Sequence, residues 1–304
     1  MTWMFNSSKN EDHAVRLKEL LSDEKTYPVP GVFNPLIALE ARDVGFKALY
    51  FSGAAFSASL GIPDIGLFTL DELIQSVRWI VRSSGLPLIV DADTGFGGAI
   101  NVVRAVRELE QVGAAAIQIE DQVLPKRCGH LDGKTVVSSD EFIGKIRAAA
   151  LVRKNLLIVA RTDSRATHGM DEAIKRGKLA REAGADIIFP EAMHSKDEFR
   201  EYADAVGPPL LANMTEFGKS PYLNIGECKD LGYGLVIFPV TTLRVAAKAA
   251  HDLLKDIMTK GTQIDWLDKM QTREELYRVI EYESYNEIDK ELSDYQKTHN
   301  ARRP

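Results

Sequence analysis

The sequence predicts an α/β fold in which eight parallel strands close into a (β/α)₈ barrel. Eight short apolar runs alternate with segments of helical periodicity, and in several cases a glycine precedes the run by two or three residues. Glycine often ends a helix in the left-handed conformation, so this pattern marks the step from a helix to a buried strand. Alternating strands and helices predict parallel pairing, and eight units favour a barrel over a doubly wound open sheet, the main alternative.

The predicted elements follow one another in a regular order. An amphipathic helix covers residues 12–21 and precedes the barrel. The eight strands lie in "YPVPGVFN", "DVGFKALYFSG", "LPLIVDADTG", "QVGAAAIQIED", "NLLIVARTD", "EAGADIIFPEA", "PPLLANMTE" and "DLGYGLVIFPVT". Helical periodicity covers residues 70–82, 99–112, 140–152, 171–183 and 242–258. A C-terminal helix over residues 272–290 begins with a capping box formed by Thr272 and Glu275.

The composition indicates one globular domain. The chain has 304 residues, 45% of them hydrophobic, and can therefore bury a large core. No Pro- or Ser-rich linker divides it. We predict a single domain over residues 1–304, with the barrel over residues 28–258 between the N-terminal helix and the C-terminal helices.

The charge and the cysteine content argue against several classes of protein. A formal net charge of −6 without a long basic cluster argues against nucleic-acid binding. The N-terminus lacks a secretory pattern and no run reaches the ~18 apolar residues of a membrane span, so we expect no membrane association. Only Cys128 and Cys228 are present, which excludes a disulfide framework and fits a cytoplasmic protein.

Polar residues follow seven of the predicted strands. They are Ser52, Asp91, Asp93, Glu120, Asp121, Arg161, Asp163, Glu191, Asn213, Thr215 and Thr241. In (β/α)₈ barrels the site is built at the carboxyl ends of the strands, so we expect these side chains to meet at one mouth. A helix cap or a solvated side chain explains any single position equally well, but the joint pattern favours a site.

The "DAD" motif predicts a metal site at the third strand. Asp91 and Asp93 lie two residues apart and therefore leave the strand on the same face. Paired carboxylates without a nearby His or Cys suit Mg²⁺, and Glu120 on the next strand can complete the ligand shell. The alternative is a pair of helix-capping aspartates. The glycines that follow resemble a phosphate loop only weakly, because no Walker lysine follows them.

The segment "LPKRCGHLDGK" predicts an acid–base role for Cys128. Zinc binding is disfavoured because no second ligand pair is present, and a nucleophilic role is disfavoured because His130 is poorly placed as its base. Lys126, Arg127 and His130 are expected to lower the pKa of the thiol from its usual ~8.5, which favours proton transfer. An inert loop cysteine is the remaining alternative.

Two further features concern the substrate. The connection from Asp121 to Asn155 is long and begins with a glycine-bearing part, which predicts a lid over the mouth that carries Cys128. Arg161, Arg244 and Arg273 are candidate carboxylate clamps, although each could be an ordinary salt-bridged arginine. Together with the acidic metal site they predict a small substrate with more than one carboxylate.

Motifs along nearly the whole chain resemble the isocitrate lyase and phosphoenolpyruvate mutase superfamily, and in particular its short 2-methylisocitrate lyase branch. From about residue 28 to residue 290 they are "YFSGAAFSASLGIPDIG", "DADTGFGG", "QIEDQ", "KRCGH", "ARTD", "FPEA", "LANMTEFG" and "MQTREELY". The resemblance implies a barrel whose last helix is swapped within a dimer, and a homotetramer of two such dimers. It also implies a Mg²⁺-dependent carbon–carbon lyase that cleaves the tricarboxylate 2-methylisocitrate to pyruvate and succinate in the methylcitrate cycle of propionate catabolism.

The same resemblance assigns roles to individual residues. The keto-acid part of the substrate would contact Ser52, Gly53, Ala54 and Arg161. The metal would be held by Asp91 and Asp93, supported by Asp64 and Glu120. The lid would contribute Cys128, Gly129 and His130, and the succinate part would contact Glu191, Asn213, Thr215, Arg244 and Arg273. The substrate methyl group would lie among Phe189, Ile237 and Pro239. The family often has Ser-Gly-Gly where this chain has Ser-Gly-Ala at 52–54.

The implied reaction is a retro-aldol cleavage. A base removes the hydroxyl proton, the C–C bond breaks, and Cys128 then protonates the succinate carbon. Tyr50 is a weaker candidate for the base, because its usual pKa of about 10 would have to be lowered.

Three alternatives remain open. The first is isocitrate lyase, which forms glyoxylate and succinate, or another lyase of the superfamily that acts on a 2-hydroxy or 2-keto dicarboxylate. Isocitrate lyase itself is disfavoured by the apolar methyl pocket and by the absence of that family's long insertions. A phosphonopyruvate-forming mutase or hydrolase is disfavoured by the thiol of "KRCGH". A non-catalytic carboxylate-binding barrel is disfavoured by the metal pair together with the lid thiol.

Overall fold

The computed structural model describes residues 12–300 and contains eight parallel strands. The strands are β1 (Tyr27–Val32), β2 (Leu49–Phe51), β3 (Leu88–Asp91), β4 (Ala116–Glu120), β5 (Leu157–Thr162), β6 (Ile187–Pro190), β7 (Leu211–Asn213) and β8 (Leu235–Phe238). They pair in the order β6-β5-β4-β3-β2-β1-β8-β7, and a parallel bridge between Ile188 and Leu210 joins the two outer strands of this order. The predicted (β/α)₈ barrel is confirmed, and the open-sheet alternative is wrong.

Helices alternate with the strands in the predicted way. They are α1 (His13–Ser22), α2 (Pro35–Val44), α3 (Gly53–Ser59), α4 (Leu70–Ser84), α5 (Ala99–Gln111), α6 (Ser139–Val152), α7 (Ser164–His168), α8 (Met170–Glu182), α9 (Lys196–Val206), α10 (Ile225–Asp230), α11 (Thr241–Lys260), α12 (Arg273–Val279) and α13 (Tyr282–Asn300). Every helix predicted from periodicity is present to within two residues at each end. A 3₁₀ turn spans Ile264–Lys269.

The glycines that precede the even-numbered strands have the left-handed backbone that the sequence predicts. Their φ angles are 102° at Gly45, 88° at Gly113, 107° at Gly184 and 88° at Gly232. A side chain would be strained in this conformation, so glycine is the residue that lets each helix turn directly into the next strand.

Strand alternation produces two apolar layers. Residues that face the barrel interior, such as Ile89, Val159 and Leu235, form one buried cluster, which Leu17 of α1 joins. Their neighbours along the strands, such as Leu88 and Val90, pack instead in the layer between the sheet and the helices. Period-two alternation therefore separates the barrel interior from the outer layer and leaves the strand ends for polar groups.

The chain divides into two compact units. One holds the barrel as far as Ala246, and the other includes the described residues from Ala247 onward. In the second unit the capping box of Thr272 and Glu275 is present. The helix predicted over residues 272–290 is two helices, α12 and α13, separated near Glu281, whose φ angle is 57°. The single domain over residues 1–304 stays a prediction.

None of the helices in the described part of the chain combines the length and the apolar character that a membrane crossing requires.

The contact between α8 and α9 makes a stability prediction. A methyl group at Gly177 would overlap the hydroxyl of buried Tyr202, which donates to the carbonyl of Ala173 at 3.2 Å. We expect Gly177→Ala to lower the free energy of unfolding by about 1–2 kcal/mol, because overpacking outweighs the ~1 kcal/mol that alanine gains over glycine in a helix. Denaturant unfolding measures the change.

Gly144 on α6 provides a matched control, because no atom lies within 4 Å of the position that its Cβ would take. Gly144→Ala should leave stability unchanged or raise it by up to about 1 kcal/mol. If the two substitutions shift the unfolding midpoint alike, the α8–α9 contact does not limit stability.

Candidate active site

The carboxyl ends of the strands bring the predicted polar residues together. Asp91, Glu120, Arg161 and Asn213 end β3, β4, β5 and β7 or lie next to their ends, and Glu191 follows β6; all five side chains are buried. The Nη1 atom of Arg161 lies 3.3 Å from Glu120 Oε2, and the side-chain amide of Asn213 donates to Glu191 at 3.3 Å. The barrel mouth is therefore lined by charged and polar side chains that come from separate strands.

Arg161 is the central cation of this surface. Its Nε atom lies 3.0 Å from Asp163 Oδ2 and 3.7 Å from Glu191 Oε2. Burial lowers the pKa of the guanidinium, but Asp163, Glu120 and Glu191 outweigh burial and raise it well above its usual value. Arg161 also lies over the ring of Phe189, 5.3 Å from its centroid. This permanent buried cation can bind a substrate carboxylate.

Asp91 and Asp93 approach each other beside Gly53. A Cβ at Gly53 would lie 3.1 Å from Asp91 Oδ2 and 3.2 Å from Asp93 Oδ1, and the Gly53 N–H donates to Asp91 at 3.2 Å. Burial raises the pKa of Asp93 to about 7, even though Lys126 acts to lower it. Ser52 caps α3 by accepting a hydrogen bond from the Ala55 N–H at 3.2 Å. Contact of Ser52, Gly53 and Ala54 with a keto acid stays a prediction.

The donor set at this end of the mouth fits a hard cation. Both carboxylate oxygens of Glu120 are buried and accept no hydrogen bond from the described residues. Burial raises the pKa of Glu120 well above its usual value, so its ionised form needs a nearby cation. No three His, Cys, Asp or Glu side chains among the described residues are arranged to hold one metal directly. Oxygen donors that leave room for water and substrate ligands match a magnesium-type site.

Lys126 lies among these carboxylates, which differs from the role predicted for it. Its ammonium is 2.7 Å from Asp93 Oδ1 and 2.5 Å from Asp64 Oδ1. Burial lowers the pKa of Lys126, but Glu120, Asp93 and Asp64 outweigh it and raise the pKa well above its usual value. The lid lysine therefore compensates the acidic end of the mouth.

The pKa predicted for the lid thiol is wrong in direction. The lid, residues 121–138, connects β4 to α6 and carries Cys128. Burial raises the pKa of Cys128, and a hydrogen bond from the His130 backbone opposes this only in part. Lys126 is held by Asp93 and Asp64, while the Arg127 guanidinium donates to the carbonyl of Asp132. A thiol in these surroundings keeps its proton at neutral pH.

His130 and Gly129 place the lid against the barrel. The His130 Nδ1 accepts a hydrogen bond from the Lys219 backbone N–H at 2.9 Å, which leaves the ring proton on Nε2, 2.8 Å from Glu191 Oε1. Burial raises the pKa of Glu191, but Arg161 and His130 outweigh it and lower the pKa to about 2. A side chain at Gly129 would overlap Glu191 and Arg161. The lid is therefore closed on the mouth.

Tyr50 does not have the lowered pKa that its predicted role as a base requires. Its hydroxyl donates to Gln118 Oε1 at 2.9 Å, and the Gln118 amide donates to Asp91 Oδ1 at 3.1 Å. Burial raises the pKa of Tyr50 well above its usual value, and the charge of Asp91 raises it further. Gln118 is a residue that the sequence analysis missed, although its polar side chain in the otherwise apolar β4 was a signal.

Three further predicted substrate contacts are Thr215, Arg244 and Arg273. The Thr215 N–H donates to Asn213 Oδ1 at 3.0 Å, so these two residues are neighbours at the end of β7. Arg244 is 48% exposed, with its Nε 3.5 Å from Glu216 Oε2. Arg273 is the first residue of α12, in the other compact unit. A substrate-binding role for Arg244 and Arg273 stays a prediction.

The three residues predicted to surround the substrate methyl group are buried. Phe189 and Ile237 belong to the apolar cluster inside the barrel, and Pro239 follows β8. Phe189 lies below Arg161, so an apolar wall borders the cation of the mouth. The methyl pocket stays a prediction.

Comparisons with known proteins agree with the fold and the motifs. The family model described as phosphoenolpyruvate phosphomutase matches residues 17–258. A 2-methylisocitrate lyase of Aeropyrum pernix is 55% identical over 91% of this chain and 90% of its own length. A 2-methylisocitrate lyase of Bacillus subtilis is 47% identical over 96% of this chain and 98% of its own length.

A solved structure supports the same assignment. The crystal structure of a 2,3-dimethylmalate lyase, described as a member of the phosphoenolpyruvate mutase/isocitrate lyase superfamily, superposes with a TM-score of 0.86 at 38% identity. The match covers 92% of this chain and 95% of that one. The chain therefore belongs to the phosphoenolpyruvate mutase and isocitrate lyase superfamily, within which its 2-methylisocitrate lyase relatives place it in the carbon–carbon lyases.

Proposed function

We propose that this chain is a Mg²⁺-dependent carbon–carbon lyase that cleaves 2-methylisocitrate to pyruvate and succinate in the methylcitrate cycle. The observation that carries this proposal is the closure of the lid: Cys128 lies on a segment packed against Arg161 and Glu191 at the barrel mouth. A protonated thiol, a buried cation and a cluster of carboxylates are the groups that the cleavage requires.

The metal in this proposal would be held by Asp91 and Asp93, with Glu120 and Asp64 supporting its water ligands. Bound there, Mg²⁺ would supply positive charge that lowers the pKa of the substrate hydroxyl. The buried carboxylate of Glu120 accepts no hydrogen bond from the described residues, although Arg161 Nη1 lies 3.3 Å from its Oε2, and this supports the placement. Lys126 contacts Asp64 and Asp93 and limits the negative charge of the same carboxylates.

The protein groups act on the substrate by binding and proton transfer. Arg161 binds the carboxylate of the pyruvate part, and Asn213 and Thr215 donate to the succinate part, where negative charge develops. A base takes the proton of the substrate hydroxyl, and the C–C bond breaks. The electron pair of that bond passes to the α-carbon and carboxylate of the succinate part. Cys128 donates its proton to that carbon, and the closed lid excludes water that would compete as a donor.

We further propose a cytoplasmic homotetramer in which the last barrel helix is exchanged within each dimer. None of the side chains of α11 is buried within the described chain, although the helix includes Val245, Leu254 and Ile257. An amphipathic helix normally buries one apolar face, so these exposed residues fit a helix that packs on a second copy.

The choice of substrate is the first test. We expect kcat/KM for 2-methylisocitrate to exceed that for isocitrate by roughly 10-fold or more, because the apolar pocket gains about 1–3 kcal/mol from one methyl group. A coupled assay for pyruvate or glyoxylate, with and without Mg²⁺, measures both activities. 2,3-Dimethylmalate serves as a third substrate, and equal or better cleavage of isocitrate or dimethylmalate would overturn the assignment.

The role of Cys128 gives a second prediction. Cys128→Ser should retain substrate binding but lower kcat by roughly 10²-fold or more, the usual contribution of a general acid. Because burial raises the pKa of this thiol above its usual value of about 8.5, loss of this proton should lower the wild-type kcat only at a pH above that value. A pH profile of kcat checks the direction: a decline centred well below pH 8 that Cys128→Ser abolishes would contradict it.

The metal assignment gives a third prediction. Asp93→Asn removes one negative charge and should weaken Mg²⁺ binding by roughly 10- to 100-fold, as measured by calorimetric titration. Asp171→Asn, at the exposed start of α8, is the matched control and should leave binding unchanged. Identical titrations of Asp93→Asn and the wild type would remove Asp93 from the metal site.

A further inference from the structure

A buried lysine at the end of the lid joins the lid to the barrel wall. The Lys134 side chain is only 1% exposed, and its ammonium lies 2.8 Å from Asp163 Oδ1. The same ammonium donates to the carbonyl oxygen of Gly129. Asp163 directly follows β5, whereas Gly129 lies in the middle of the lid, so one charged group connects the two.

The barrel side of this connection is firmly held. Asp163 accepts hydrogen bonds from Arg161 Nε at 3.0 Å and Arg161 Nη2 at 3.2 Å. Its backbone N–H donates to Asp121 Oδ1 at 2.8 Å, and Asp121 is itself paired with Arg176 at 3.0 Å. Since all of these side chains are buried, Asp163 offers Lys134 a fixed anionic anchor.

The lid side of the connection lies next to the thiol. The carbonyl that Lys134 contacts belongs to the peptide between Gly129 and His130, one residue after Cys128. At this place the lid lies so close to Arg161 and Glu191 that a side chain on Gly129 would overlap them. A shift of this peptide would therefore move Cys128 away from the mouth.

We propose that Lys134 is a positioning residue that holds the lid closed and so sets the position of Cys128. The inference rests on the proposed function, because the position of Cys128 affects turnover only if the thiol is the proton donor. A buried ammonium is costly unless it is paired. Its ion pair with Asp163 joins the lid to the barrel, and its hydrogen bond to the Gly129 carbonyl fixes the lid segment that follows Cys128. The ion pair therefore favours the closed lid, although Lys134 and Cys128 lie on opposite sides of Gly129 along the chain.

Lys134→Met in the full-length Mg²⁺-loaded enzyme tests this inference through the reactivity of the thiol. We expect iodoacetamide to alkylate Cys128 at least about tenfold faster than in the wild type, because opening the lid exposes the thiol and removes the burial that raises its pKa. With 2-methylisocitrate, kcat should fall by roughly tenfold or more while KM changes less, since the lid peptide and not a substrate contact is released.

Cys228 and Lys219 provide the controls. Cys228 on α10 is fully buried in the apolar layer between the sheet and the helices and should remain unreactive in peptide mapping of the alkylated protein. Lys219→Met removes the ion pair between Lys219 and Asp132 of the lid, whose side chain is 93% exposed, but keeps the backbone N–H that donates to His130. It should leave both the alkylation rate and kcat unchanged.

The outcomes separate the inference from the proposed function. Wild-type rates of alkylation and turnover in Lys134→Met would overturn the inference, as would alkylation of Cys228 in step with Cys128, which would indicate general unfolding. Asp163 keeps its two hydrogen bonds from Arg161, so Lys134→Met should fold. If it does not fold, the alkylation rate and kcat of Lys134→Gln decide instead. If the wild type does not cleave 2-methylisocitrate, the proposed function fails, while the alkylation rates still test the lid contact.

Discussion

The rest of the barrel mouth depends on the ion pairs that the buried guanidinium of Arg161 forms. Charges removed from water are stable only when opposite charges compensate them, and three carboxylates from three neighbouring strand ends surround this cation. Each of them also has a second function: Glu120 faces the acidic end, Asp163 anchors the lid lysine, and Glu191 contacts His130. The electrostatic balance at Arg161 therefore connects the metal end, the lid and the substrate-binding end of the site.

The closed lid follows from the same balance. The lid brings two lysines and a histidine to the barrel mouth, where each meets carboxylates from the segments that follow β2, β3, β5 and β6. Lys126 meets Asp64 and Asp93, His130 meets Glu191, and Lys134 meets Asp163. Because Cys128 lies between these contacts, its neighbours hold the lid in place rather than activate the thiol. A neutral, half-buried thiol is suited to donate a proton, whereas a lowered pKa would suit a nucleophile.

Local sequence patterns predicted the barrel well. Short apolar runs identified the strands, glycines marked several of the helix-to-strand turns, and the polar residues after seven of the runs identified the mouth. These features depend on neighbours along the chain, which a sequence displays directly. The break between α12 and α13 was not predicted, because the helical periodicity continues on both sides of Glu281 and only its left-handed backbone separates the two helices.

Residue types and their order were sufficient to name Asp91, Asp93, Cys128, Arg161 and Glu191 as candidates, because strand ends of a barrel converge whatever the details of packing. The charges that act on those groups could not be predicted in the same way. Lys126 and Arg127 are adjacent to Cys128 in the chain, yet their cations bond to Asp93 and to the Asp132 carbonyl, and burial rather than a nearby cation controls the pKa of the thiol. Likewise, the sequence made Tyr50 a candidate base, but in the structure its hydroxyl donates to Gln118 and burial raises its pKa. A pKa depends on burial and on charges contributed by distant segments, and these are fixed only when the barrel closes and the lid packs on it.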